Sequence, residues 1–152
     1  MRRTRFLFVT VAGILLASAS LAQMSPKYQK KFHDPSDGRM PFSTAVRAGD
    51  LLFLSGALAY RDGKLVDGGI AAETRVTLEI IAERLQEQNL GMSDVVKCTV
   101  FLADIDDFAA MNEVYMEAFS PPRPARTTVA VSGLALDAAI EIECIAAYDP
   151  GR

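Results

Sequence analysis

An arginine at the head of a strand-forming run is the first residue of this chain with chemistry to offer. Arg126 stands in Pro124-Ala125-Arg126-Thr127-Thr128, behind a proline-rich turn, and opens an apolar-alternating stretch over residues 127–131. A planar guanidinium held at a strand start suits two-point binding of a carboxylate. Three further features are candidates to join it. Ser55-Gly56 closes an apolar run, Asn112 follows Phe108 by one helical turn, and Glu141 projects from the last strand-like segment. Singly, these read as a strand-end hydroxyl, a helix-surface amide and a solvated carboxylate. Together they could converge on one site. The remaining inventory is sparse: one histidine, His33, and no nucleophile motif, phosphate loop or metal-ligand cluster. No cofactor and no metal are expected.

The elements that must position these groups belong to one domain, since 152 residues allow no more. Residues 1–22 carry Arg2, Arg3 and Arg5, then an apolar run over 6–16, then small residues ending at Ser20 and Ala22. That order reads as a secretory signal cut after Ala22, with a periplasmic or secreted destination. The apolar run is too short to span a bilayer, so no membrane association is expected after cleavage. The mature chain would hold 13 basic and 19 acidic residues, a formal charge of −6. Such a balance argues against a nucleic-acid partner, which calls for a clustered basic face. Cys98 and Cys144 would be able to pair in an oxidising compartment. Each sits among alternating apolar residues, however, and the expectation is two free, buried thiols.

Residues 23–39 read as a polar, extended arm carrying Lys27, Lys30, Lys31 and His33. Hydrophobic periodicity then predicts a strand over 41–46, a tight turn at 47–50 and a buried strand over 51–54. Arg61-Asp62-Gly63-Lys64 predicts a hairpin turn. A helix is expected over 71–88, burying Thr74, Leu78, Ile81 and Leu85, with Gly91 near its C-terminal cap. Residues 95–102 alternate as a strand with Val96, Cys98, Val100 and Leu102 inward. A second helix is expected behind Asp106 and Asp107, burying Phe108, Met111, Tyr115 and Phe119. Strands from Arg126 and over 139–148 complete an α+β layer of one mixed sheet covered by two helices.

With the order of elements set, the motifs resemble the Rid family, also called YjgF/YER057c/UK114. They are Pro41-Phe42-Ser43, Phe53-Leu54-Ser55-Gly56, Thr74-Arg75, Val95-Val96-Lys97-Cys98-Thr99-Val100-Phe101-Leu102, Asn112-Glu113-Val114-Tyr115, Arg123-Pro124-Ala125-Arg126-Thr127-Thr128 and Ile140-Glu141-Ile142-Glu143. They run in order through a domain covering residues 40–149. The resemblance implies a single-domain, chorismate-mutase-like α+β fold and a homotrimer with clefts between subunits. It also implies hydrolysis of reactive 2-imino or 2-enamino acids to 2-oxo acids and ammonia. Arg126 corresponds to the residue that binds the substrate carboxylate and Glu141 to the acid beside the hydrolytic water. Phe42, Ser55, Gly56, Asn112 and Thr128 fall at substrate-binding positions. Three residues depart from the pattern of deaminating members: Phe42 replaces a tyrosine, Thr128 a cysteine and Ala57 a glutamine. The same scaffold would also serve a non-catalytic carboxylate binder or a chaperone-like interaction protein.

Overall fold

The computed structural model describes residues 29–149. The expected signal segment and most of the arm's first half lie outside the described residues. The chain forms β1 (Lys30–His33), β2 (Ala45–Ala48), β3 (Leu51–Leu54), β4 (Tyr60–Arg61), β5 (Lys64–Leu65), α1 (Gly69–Gln86), β6 (Val95–Leu102), α2 (Phe108–Ala118), β7 (Ala125–Ala130) and β8 (Ile140–Ala147). Six strands make one sheet in the order β1-β2-β3-β8-β6-β7, while β4 and β5 form a separate hairpin. Among the described strands only β6 and β7 run parallel, joined through α2. The remaining neighbours are antiparallel. The architecture is the expected mixed sheet with two helices.

Period-two alternation sorts the sheet into two unlike faces. Leu52, Leu54, Cys98, Val100, Leu102, Ile140, Ile142 and Cys144 are buried and pack with Leu78, Ile81 and Leu85 of α1 and Met111 and Tyr115 of α2. Each such aliphatic side chain contributes about 1.5–3 kcal/mol of burial. The other face holds Leu51, Phe53 and Val129, all exposed. No described element covers it. Leu51 and Phe53 therefore correct the expectation of a wholly buried strand, because β3 alternates.

Several local expectations are also corrected. The strand expected over 41–46 starts only at Ala45, and Lys30–His33 of the arm joins the sheet as β1, against β2. The hairpin at Asp62 and Gly63 does form, both residues having the positive φ that a two-residue hairpin turn requires. At the end of α1 it is Asn89, not Gly91, that turns left-handed (φ 58°). Leu90 N–H then donates to the Leu85 carbonyl at 2.9 Å, closing the helix. Before α2, the capping carboxylate is Asp104, which accepts from Asp106 N–H at 3.0 Å; Asp107 makes no side-chain cap. Phe108 is exposed rather than buried. In β6 a bulge between Val95 and Lys97 turns Val96 outward and puts Val95 in the core.

The cysteines are not free thiols. Cys98 and Cys144 lie directly opposite each other in the antiparallel β6–β8 pair, Cα atoms 4.1 Å apart, and are joined as a disulfide. Alternation correctly marked both as core residues. What it lacked was the register that sets them face to face across the ladder.

Candidate functional site

The candidate residues fall into two groups on different strands and different faces of the sheet. The first is built on β7 and α2. Arg126 is in register with Cys98 and Thr128 with Val100, so both side chains share the helix-covered face. There the half-buried Arg126 guanidinium carbon lies 4.6 Å from the centre of the Tyr115 ring and 5.6 Å from that of Phe108. Both distances are within cation–π range. Among the described residues no carboxylate pairs with it. Phe108, Asn112 and Tyr115 recur at helical spacing, which puts the Asn112 amide on the flank of α2 that meets Arg126. The Tyr115 and Thr128 hydroxyls are buried and have no hydrogen-bond partner among the described residues. Burial pushes the Tyr115 phenol above its ordinary value, against the opposing pull of Arg126. The phenol is therefore neutral over the physiological range.

The second group is built on β8 and the extension of β3. Glu141 is in register with Phe101 and so faces away from the helices. Beyond the end of β3, Ala57 bridges to Ile142 through two hydrogen bonds of 2.8 and 3.1 Å. That bridge brings Gly56 beside the strand carrying Glu141. A side chain at Gly56 would overlap the Glu141 carboxylate, so the missing Cβ is what lets the acid lie there. Among the described residues no cation pairs with Glu141. The Ser55 hydroxyl is spent on structure: it donates to the Ser43 carbonyl at 2.7 Å and ties this shelf to the segment before β2. Glu73 fixes the approach to β8, its carboxylate accepting from Ala139 N–H at 2.9 Å.

Gly56 also lines a cavity of about 520 Å³ with Phe42, Leu58, Tyr60, Ile80 and Arg84 among its walls. Phe42, read as a substrate-binding position, stands at this cavity and is exposed. Phe42, Gly56 and Glu141 are thus gathered on one side, and Arg126, Asn112 and Thr128 on another. Within a single chain the structure does not bring Arg126 and Glu141 together.

Two participants were missed from sequence. Tyr115 was read only as a core residue; the spacing Phe108, Asn112, Tyr115 was the available sign that it shares a helix flank with a polar group. Arg84 was not singled out, since no pattern in the sequence marked it. In the structure it is half-buried and donates to the Ser55 carbonyl at 3.0 Å. Among the described residues, no cluster of three or more His, Cys, Asp or Glu side chains is arranged to hold a metal ion.

Comparison with known proteins bears on this arrangement. The family described as Endoribonuclease L-PSP matches residues 34–148. Protein mmf2, mitochondrial, of Schizosaccharomyces pombe is 50% identical over 110 residues, covering 70% of this chain and 87% of that protein. The 2-iminobutanoate/2-iminopropanoate deaminase of Capra hircus is 39% identical over 112 residues, covering 72% and 82%. Among solved structures, the yeast protein YEO7 superposes with a TM-score of 0.74 at 36% identity, covering 80% of this chain and all of that one. The matched span includes both groups of candidate residues and every strand and helix from β2 to β8, and on that ground the chain belongs to the Rid (YjgF/YER057c/UK114) family.

Proposed function

We propose that this protein hydrolyses 2-imino acids, and their 2-enamino tautomers, to 2-oxo acids and ammonia, at sites formed between subunits of a homotrimer. The observation that carries the reading is the division of the candidate residues: an arginine and a glutamate, neither with an ion-pair partner among the described residues, on opposite faces of one sheet. Each copy would set its Arg126 group against the Glu141 of one neighbour and its Glu141 group against the Arg126 of the other, as a closed ring of heterologous contacts requires. The uncovered sheet face, with Leu51, Phe53 and Val129 exposed, is a surface suited to such packing. A name carried by one relative, 2-iminobutanoate/2-iminopropanoate deaminase, supports the reaction class.

In this reading Arg126 binds the substrate carboxylate in bidentate fashion, and the Tyr115 ring beneath the guanidinium fixes its plane. Asn112 and Thr128 supply hydrogen bonds near the imine nitrogen. Glu141 takes a proton from water as the water oxygen bonds to the imine carbon and the C=N pair moves to nitrogen. The same proton then passes to nitrogen. Glu141 next carries the hydroxyl proton of the resulting carbinolamine to the nitrogen, and the C=O bond forms as the C–N bond breaks and ammonia leaves, so one imine and one water give one 2-oxo acid and one ammonia. Such imines already hydrolyse in water, and holding one water against a fixed carbon supplies the acceleration. A charge-assisted contact at Arg126 contributes about 1.5–3 kcal/mol.

The reading extends to an exported protein, supported by the pattern of residues 1–22 and by the Cys98–Cys144 disulfide, a bond that persists in oxidising compartments. The direct test generates imino acids in place with an amino-acid oxidase and traps the surviving imine with semicarbazide. Wild type is expected to deplete the semicarbazone, and Arg126→Ala to restore it. Failure of wild type across several amino acids would leave a carboxylate binder on the same scaffold.

A further inference from the structure

Among the described residues, Arg84 is a half-buried cation that the reaction above does not account for. Its guanidinium is half-buried at the wall of the cavity that Gly56 also lines. One nitrogen is bound to the Ser55 carbonyl, a single peptide unit from Gly56. Among the described residues no carboxylate pairs with it, in contrast to Arg61 at the same cavity, which is held by Glu83 at 2.7 Å. Burial lowers the Arg84 pKa from its ordinary value, and Glu87 offsets this only in part. A partly desolvated charge with one neutral acceptor is short of partners. The neighbouring walls, Met40, Phe42, Leu58, Ile80 and Leu136, are apolar and strengthen any ionic contact made there.

We propose that Arg84 is a second anion-binding residue of the site and selects imino acids whose side chain carries a further carboxylate; the proposal rests on the deaminase reading above. The reacting carbon would sit by Glu141, the substrate side chain would pass Gly56 into the cavity, and its terminal carboxylate would meet Arg84. The volume of about 520 Å³ is well within the range of small-ligand pockets.

The test is calorimetric binding of two 2-oxo acids of equal chain length, 2-oxoglutarate and 2-oxopentanoate, to the assembled protein. Wild type is expected to bind the dicarboxylate at least tenfold more tightly. Arg84→Gln keeps a donor for the Ser55 carbonyl but not the charge, and is expected to bring the ratio of dissociation constants close to one. Arg84→Lys is expected to retain part of the preference. A wild-type ratio near one, binding of neither acid, or a preference that survives Arg84→Gln overturns the assignment. Turnover separates the two readings. Hydrolysis of monocarboxylic imines with a flat binding ratio removes the role of Arg84 and leaves the deaminase. A preserved, Arg84-dependent preference with no turnover of any imine supports the anion site and removes the deaminase.

Discussion

Arg126 and Glu141 project from opposite faces of one sheet, with β6 lying between the strands that carry them. Arg126 is in the row of Cys98, under the helices, and Glu141 is in the row of Phe101, on the uncovered side. A mechanism that needs both residues at one substrate therefore needs two copies of the chain.

Mixing two inactive variants tests this division. Arg126→Ala and Glu141→Gln are each expected to lose most activity alone. Co-assembled in equal amounts, they are expected to recover roughly a quarter of wild-type activity, because one in four random interfaces joins an intact Arg126 to an intact Glu141. Imine hydrolysis by the mixed protein is the readout, and recovery no greater than the sum of the separate variants would mean that the two residues serve one chain.

Gly56→Ala is a second probe. The added methyl would strike the Glu141 carboxylate and push it aside. Because the acid is on the uncovered face, the backbone should tolerate the change, with melting temperature altered little. The expected loss in kcat is about a hundredfold, the scale of a misplacement near 1 Å. Loss of folding instead of kcat would assign Gly56 a structural role.

The disulfide makes a stability claim. Cys98→Ala with Cys144→Ala is expected to cost about 2–4 kcal/mol, the usual range for closing a loop of this size. Denaturant midpoints of the two proteins measure it. Since the two cysteines are 0% and 2% exposed, reductant without denaturant should leave the bond intact over the same interval.

His33 makes a claim about pH. Burial of its ring, reinforced by the Lys31 cation and opposed by Glu87, lowers its pKa below the ordinary 6.5. The unfolded chain then binds that proton more readily than the folded one. The neutral ring's contribution is complete above 6.5 and is lost as pH falls from there through the folded-state value. Thermal stability is expected to fall between about pH 7 and pH 5, and His33→Gln to flatten that dependence. An unchanged slope in the variant would remove His33 as its source.

Periodicity sufficed for what depends on residues near one another in the chain. The buried stripe of α1, the alternation of β6 and β8 and the Asp62–Gly63 hairpin are all legible in this way. Whatever depends on register between distant strands was not. The facing of Cys98 and Cys144, 46 residues apart, follows from the β6–β8 ladder alone. So does the separation of Arg126 from Glu141, since alternation assigns faces within a strand but does not relate one strand's faces to another's. The bulge at Val96 illustrates the limit on a smaller scale: an alternating run fits either register, and one extra residue moves Val95 inward. Arg84 was hidden for a different reason, because its solvation depends on the Ser55 carbonyl, which is brought beneath α1 only by the tertiary fold.

The row Arg126, Cys98, Cys144 crosses β7, β6 and β8, with a covalent tie between its second and third members. Breathing of the sheet is thereby pushed outward. The two central strands cannot part, whereas β7 has no covalent tie to β6 and, among the described residues, no strand on its far side. Amide protons at the centre should exchange last and those of β7 early, so that the strand bearing Arg126 is the one most free to adjust.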